Sequence, residues 1–221
     1  MPRCCGHDTR FDGVSRDYKR RLWVVIVLNG LMFFLETTAG HMARSQALQA
    51  DALDFLGDAL TYAVSLAVIG ASIQVRTNAA IAKGISLLLM GVWVFGATVY
   101  RIVAMGVPEA DIMGIIGLLG LTTNVASVLV LAHYRQGDAN VRSVWLCSRN
   151  DAIGNMAVML AALGVWGTAT GWPDLIVAAF MAGLFLSSSV QIIHQSLQER
   201  RQLSDRGGYG TLRAVSRQRR R

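Results

Sequence analysis

Three aspartates, Asp51, Asp54 and Asp58, lie three and four residues apart within the apolar stretch QALQADALDFLGDALTYAVSL. This spacing places all three on one face of a helix. Carboxylates so close together in a medium of low dielectric constant cannot all stay ionised alone. They must therefore bind a cation, share protons, or do both. Asp51 stands nearest the start of the stretch, where a helix cap or an interfacial charge is an alternative role.

A second apolar stretch, VWLCSRNDAIGNMAVMLAALGV, places Cys147 four residues before Asp151 and Asn155 four residues after it. Two helices that each offer a pair of donors one turn apart can enclose one ion with four ligands. Oxygen and sulfur together suit a divalent ion such as zinc. A lone membrane cysteine is also a common packing residue. The candidate metal donors are therefore Asp51, Asp54 and Asp58 on the first helix and Cys147, Asp151 and Asn155 on the second.

Glu36 is a further ionisable residue inside an apolar stretch, with Asn29 and His41 on either side. Glu36 and His41 are candidates for a proton path, because intramembrane ionisable groups usually serve a function. The alternative is a single interhelical hydrogen bond from Glu36, with His41 at the outer interface. Asn124 is expected to hydrogen-bond between helices.

The N-terminal sequence MPRCCGHDTRFDG brings Cys4, Cys5 and His7 together. Thiolate and imidazole are zinc-type ligands, so one prediction is that this segment is an accessory site that captures metal. An unstructured tail is the alternative, because adjacent cysteines lack the spacing of an ordered zinc finger. With three cysteines in all, the chain has no disulfide framework.

Six long apolar stretches must position these residues. The chain has 221 residues, of which 53% are hydrophobic and 16% charged, a composition that excludes intrinsic disorder. Each stretch is long enough to cross a bilayer as a helix, so an all-α membrane protein with six transmembrane helices is predicted. The first is not a cleaved signal peptide, because five more follow it. The predicted spans are 22–43, 47–75, 79–106, 112–134, 143–168 and 173–196.

The distribution of Lys and Arg predicts the orientation. Of 21 basic residues, 19 fall before the first span, in or close to the second and fourth connections, or after the sixth span, which leaves Arg44 and Arg101 on the other side. Because basic residues are retained in the cytoplasm, both termini are predicted to be cytoplasmic. Residues 1–21 then form an N-terminal tail, 22–196 a transport domain and 197–221 a basic tail in a multi-pass protein of the cell (inner) membrane. That basic tail is solvated or binds anionic lipid headgroups; nucleic acid is not an expected partner.

Three segments together resemble the cation diffusion facilitator family of divalent-metal transporters, over about residues 21 to 197. SQALQADALDFLGDAL is similar to the second-helix pattern of that family, and Asn140 followed by VRSVWLCSRNDAIGN is similar to its fifth-helix pattern. GWPDLIVAAFMAGLFLSSSVQIIHQS resembles its sixth helix, with Asp174 near the start. The joint occurrence, order and spacing of these motifs make the resemblance specific.

The resemblance implies that the positions of Asp54, Asp58, Cys147 and Asp151 hold the transported ion, which leaves Asp51 and Asn155 as accessory metal donors. It also implies that metal leaves the cytosol in exchange for protons. Cys147 stands where the family usually has His, and Asp54 where members often have His, which affects metal preference. A short form is expected, without the soluble domain that usually follows the sixth helix and provides one route to a homodimer.

The predicted function is therefore the export of zinc, cadmium or cobalt by proton antiport, a transport activity and not an enzymatic one. No prosthetic group is expected. A transporter of another cation through the same cavity is one alternative. A membrane metal sensor or accessory protein, with the Cys4, Cys5 and His7 segment as its detector, is another.

Overall fold

Six α-helices build the structure, a computed structural model that describes residues 15–68, 71, 73–103, 106–134 and 139–218. At residues 73, 76, 134, 139–150, 199 and 201–218 it describes the helical backbone alone. No strand occurs in these ranges, which confirms the predicted all-α fold. The helices are α1 (Arg16–Met42), α2 (Gln46–Ala67), α3 (Ile73–Val103), α4 (Ala110–Leu131), α5 (Ala139–Thr168) and α6 (Trp172–Gln218), with a short 3-10 turn at Ala132–Tyr134.

Among the described residues, five helical segments are long and apolar enough to cross a membrane. They are Arg16–Met42, Thr77–Val103, Ala110–Leu131, Asp151–Thr168 and Trp172–Gln198. The remaining helix, α2, has 22 residues, about 33 Å at 1.5 Å per residue, and its three aspartates lower its hydropathy. Large apolar side chains such as Phe34, Trp93 and Trp166 are exposed on the outside of the bundle, as expected for surfaces that contact lipid.

Helices α1, α2, α4 and α5 pack around a common interior, and α3 pairs with α6 beside them. Glycines permit the close approach of α3 to α6: a Cβ atom at Gly84 would lie 2.6 Å from Ile193 Cγ1, and one at Gly91 would lie 2.9 Å from Leu186 Cγ. The hydroxyl of Ser189 also donates to the Gly84 carbonyl at 2.7 Å. Small residues at such an interface are the usual basis of helix association in membranes.

Three of the connections meet at one end of the bundle, which we call the outer end. There Arg101 Nη2 donates to the Arg44 carbonyl at 3.1 Å, and the Glu109 amide donates to the Ala43 carbonyl at 2.9 Å. A Cβ at Gly171 would lie 2.9 Å from the Gly106 carbonyl oxygen. Arg44 and Arg101, the two basic residues predicted to lie on the opposite side from the other 19, are therefore at the same end of the bundle. This agrees with the predicted topology.

Four helices extend several residues beyond their predicted spans; among them, α3 begins at Ile73 instead of residue 79 and α5 at Ala139 instead of residue 143. Helix α2 is shorter than predicted and ends at Ala67 instead of residue 75. Helix α1 begins at Arg16 instead of residue 22, because the Ser15 hydroxyl caps it by accepting from the Tyr18 amide at 3.2 Å. Helix α6 continues to Gln218, so the predicted limit at 196 marks the end of the apolar span and not the end of the helix.

Two apolar clusters fill the bundle, one on each side of its polar interior along the helix axes. The cluster on the side away from the outer end contains Tyr18, Leu22, Val25, Tyr62 and Leu131. The larger cluster toward the outer end includes Ala47, Leu48, Met113, Val158 and Phe185. The carboxylates of α2 lie between them.

Candidate metal centre

The start of α2 is fixed by a carboxylate from α6. Asp174, which is 1% exposed, accepts from the Ser45 hydroxyl at 2.6 Å and from the amides of Gln46 and Ala47 at 2.8 and 3.0 Å. The Ser45 oxygen in turn accepts from the Leu48 amide at 3.0 Å. An anion at a helix N-terminus satisfies amides that have no partner within the helix. Asp174 thereby sets the position of the helix that carries the three aspartates, a role that the sequence analysis missed.

Asp58 and Tyr62 form a buried pair one turn apart on α2. The Tyr62 hydroxyl donates to Asp58 Oδ2 at 2.5 Å. Tyr62 is 0% exposed and Asp58 is 9% exposed. Tyr62 belongs to the apolar cluster on the far side from the outer end, so it links that cluster to the carboxylates. The i, i+4 spacing of the two residues was a signal for this contact in the sequence.

Asp54 meets α5. Its side chain lies within hydrogen-bonding distance of Asp151, and the positive charge of Lys83 on α3 acts on it. Two facing carboxylates need a shared proton or a cation between them.

Asp51 also meets α5, one turn nearer the outer end. Asn155 Nδ2 donates to both carboxylate oxygens of Asp51, at 2.7 and 2.9 Å. The two contacts fix the register of these antiparallel helices, since Asp51 lies opposite Asn155 and Asp54 lies opposite Asp151. Residue 147, one turn before Asp151, then stands at the level of Asp58.

Several predicted residues lie outside the described side chains. Cys147 belongs to the helical backbone of α5, but its side chain is among those not described. Cys4, Cys5 and His7 lie outside the described residues altogether.

Glu36 and His41, predicted together as a proton path, occupy different environments. Glu36 is 0% exposed and lies within hydrogen-bonding distance of Asp51. His41 is exposed, and its Nδ1 lies 2.9 Å from the Thr37 carbonyl of its own helix. The structure brings Glu36 to the acidic face of α2 and leaves His41 apart from it.

The interior shared by α1, α2, α4 and α5 contains acceptor oxygens for which the described residues provide no donor. These are both carboxylate oxygens of Glu36 and the amide oxygens of Asn29, Asn124 and Asn155. Asn29 donates through Nδ2 to Val25 of its own helix at 2.8 Å, and its oxygen is left over. A buried acceptor oxygen without a donor destabilises the fold. Several such oxygens inside one bundle would be stabilised by a cation that binds among them.

The described carboxylates do not already form a closed metal cage. Within the described side chains, no three Asp, Glu, His or Cys residues come as close together as a bound ion requires. Asp58 is turned toward Tyr62, and Asp54 toward Asp151. Closure around an ion would need Asp58 to turn back toward Asp54, together with a donor at residue 147.

Comparison with known proteins gives a consistent match over the helical body. Residues 22–199 match the cation efflux transmembrane domain family. Similar proteins include the metal cation efflux system protein CzcD of Cupriavidus metallidurans, 26% identical over 200 residues, which are 83% of this chain and 63% of that protein. Zinc transporter ZitB of Escherichia coli is 26% identical over 197 residues, 82% of this chain and 62% of that protein. The cadmium, cobalt and zinc/H(+)-K(+) antiporter of Bacillus velezensis is 24% identical over 208 residues, 87% of this chain and 65% of that protein. The chain thus spans less than two thirds of the length of these relatives.

Proposed function

Since the chain belongs to the cation efflux, or cation diffusion facilitator, family and is a multi-pass membrane protein, we propose that it exports a divalent metal ion from the cytosol in exchange for protons. Zinc, cadmium and cobalt are the proposed substrates, in line with the names of its relatives. The proposed activity is transport and not catalysis.

This proposal is based on which residues of α2 and α5 lie opposite each other. Asp51 with Asn155 and Asp54 with Asp151 form two successive levels of a ladder, and residue 147 stands opposite Asp58 at the third. We propose that Asp54, Asp58, Cys147 and Asp151, from the second and third levels, bind the transported ion. These levels lie about 5 Å apart along the helices. One ion can bind ligands from both levels, because each metal–ligand bond is about 2.0–2.3 Å long.

Proton coupling follows from the charge of such a site. Three carboxylates and a thiolate can surround a divalent ion, but they repel one another when the ion leaves unless protons replace it. Metal and protons therefore compete for the same groups. Zinc affinity should fall as the pH falls, and an acidic compartment on the outer side should drive release there.

Zinc uptake into proteoliposomes with an acidic lumen and a neutral bath tests the proposal. We expect uptake that stops when a protonophore dissipates the pH gradient, and no uptake with Asp58→Ala. Glu109→Ala is the matched control, because Glu109 is an exposed acidic residue at the start of α4 with no side-chain capping bond. Normal flux in Asp58→Ala would contradict the proposed site, and flux independent of the gradient would contradict antiport and favour a uniporter. If the wild type carried no zinc at all, a sensor would replace the exporter.

A further inference from the structure

The outermost level of the ladder contains three buried polar side chains from three helices. Glu36 of α1, Asp51 of α2 and Asn155 of α5 are each 0% exposed. Asn155 Nδ2 donates to both oxygens of Asp51, so the amide is held in one orientation. The reverse orientation would place the amide oxygen against a carboxylate.

The remaining oxygens of this group converge on one place. With its nitrogen committed to Asp51, Asn155 points its Oδ1 toward α4, and a Cβ atom at Gly120 would lie 2.7 Å from it and 2.6 Å from Glu36 Oε1. The two oxygens approach the same point only because residue 120 has no side chain. Neither has a donor among the described residues, and Glu36 has another acceptor, Asp51, within hydrogen-bonding distance.

We propose that Glu36, Asp51 and Asn155 form a second cation site, separate from the transport ligands, which receives the divalent ion on its way out. The two carboxylates balance the charge of the ion, and the Asn155 amide supplies a neutral oxygen ligand. This inference rests on the export function proposed above. It adds a step to that function: the ion passes from Asp54 and Asp151 to a site of different chemistry before release.

The position of the group in the bundle supports an exit role. Asp51 and Asn155 lie one turn beyond Asp54 and Asp151, in the direction of the outer end where Asp174 holds the start of α2. One turn is about 5 Å, a distance over which an ion can move between neighbouring ligands without crossing apolar surface. Glu36 also lies on the outer half of α1, which ends at Met42.

The donor types predict how the two sites differ. The exit site offers oxygen alone, which suits hard ions, whereas the transport site adds a thiolate, which favours softer ones. Zinc and cobalt should therefore bind the exit site more weakly than the transport site. A weaker second site allows release, because an ion held equally tightly at both would leave slowly.

Cobalt binding to the full chain in lipid nanodiscs separates the two sites, with Cys4→Ser, Cys5→Ser and His7→Ala in every sample to remove the predicted N-terminal metal ligands. Equilibrium dialysis counts the bound ions, and visible absorption reports their geometry, since a tetrahedral site with a thiolate absorbs strongly and an oxygen site of higher coordination absorbs weakly. We expect two ions per chain, one tight and strongly absorbing, the other at least about tenfold weaker and weakly absorbing. Asp58→Asn should abolish the tight site.

Two variants address the exit site itself. Glu36→Gln removes a charge with little change of shape, and Gly120→Ala places a methyl group against both converging oxygens. Each should remove the weaker ion and keep the tight, strongly absorbing one. Gly117→Ala is the matched control on α4, because a Cβ there would make ordinary contacts of 3.4 Å with Val158 and 3.5 Å with Met159; it should keep both ions.

The outcomes distinguish the two proposals. If Asp58→Asn removes the tight ion while Glu36→Gln leaves the count and affinity of all ions unchanged, the transport site stands and the exit site is wrong. A single ion in the wild type also overturns the exit site and indicates that Glu36 and Asp51 share a proton instead. If Asp58→Asn leaves the strong absorption intact, the proposed transport site is wrong. Flux provides a second readout, in which Glu36→Gln should lower the maximal zinc flux about tenfold with little change in the apparent affinity on the cytosolic side.

Discussion

Replacement of Asp174 by Ala should destabilise the start of α2 and loosen the metal site. The substitution removes an acceptor from three donors, the Ser45 hydroxyl and the amides of Gln46 and Ala47, at 2.6–3.0 Å. A hydrogen bond to a charged group contributes about 1.5–3 kcal/mol. The three bonds share one carboxylate, so the total loss should be about 3–5 kcal/mol, which is the range for a buried charged partner that is removed.

Asp174→Asn gives an intermediate case that the geometry defines. Its amide oxygen can take the place of Oδ1 and still accept from Ser45 and Ala47, but its NH₂ group would face the Gln46 amide, which is another donor. The loss should be about 1–2 kcal/mol. For a chain of this length, each kcal/mol lowers the melting temperature by about 2–4 °C on the scale of soluble domains.

Thermal unfolding of the purified protein in detergent, followed by a zinc-binding titration, measures both effects. The expected order of melting temperatures is wild type, Asp174→Asn and Asp174→Ala, with the last roughly 10 °C below the first and with weaker zinc binding in the same order. Glu109→Ala, at the start of α4, should stay within about 1 °C of the wild type. If Asp174→Ala melts with the wild type and binds zinc normally, Asp174 does not hold α2 in place.

Three further predictions concern the ligands and the N-terminal segment. Tyr62→Phe removes the hydroxyl that holds Asp58 turned away from Asp54, so it should strengthen zinc binding about tenfold, the equivalent of roughly one hydrogen bond; unchanged affinity would leave Tyr62 a packing residue. Cys147→His replaces a soft sulfur by imidazole and should shift the zinc-to-cadmium flux ratio toward zinc, whereas an unchanged ratio would mean that the thiol does not touch the ion. Deletion of residues 1–12 removes Cys4, Cys5 and His7 and should weaken the apparent metal affinity from the cytosolic side at nearly unchanged maximal flux. Loss of flux at saturating metal would make the segment part of the transport step.

The sequence predicts five of the helices because their apolar stretches are long, and it predicts α2 because its three aspartates share one face of an otherwise apolar stretch. It predicts the end of α6 poorly, because residues 197–218 are polar and carry no apolar period, although the helix continues through them to Gln218. The start of α1 depends on the cap at Ser15, a local hydrogen bond that hydropathy does not register.

The sequence also predicts which carboxylates share a face of α2, since that follows from helical spacing alone. It does not predict which residue of α5 lies opposite each of them, because the register of two helices depends on packing between distant segments. The same holds for Asp174, which lies 129 positions from Ser45, and for Gly120, whose missing side chain matters only when Glu36 and Asn155 approach it.

X-ray absorption at the zinc edge tests the central claim most directly, since it reports the atoms bound to the ion. The sample is the full chain with Cys4→Ser and Cys5→Ser, loaded with one equivalent of zinc, so that a thiolate ligand can come only from Cys147. We predict one sulfur at about 2.3 Å and three oxygens at about 2.0–2.2 Å, with the sulfur lost in Cys147→Ser and the oxygen shell altered in Asp58→Ala. A shell of oxygen and nitrogen alone, or one that both substitutions leave unchanged, would contradict the proposed ligands Asp54, Asp58, Cys147 and Asp151.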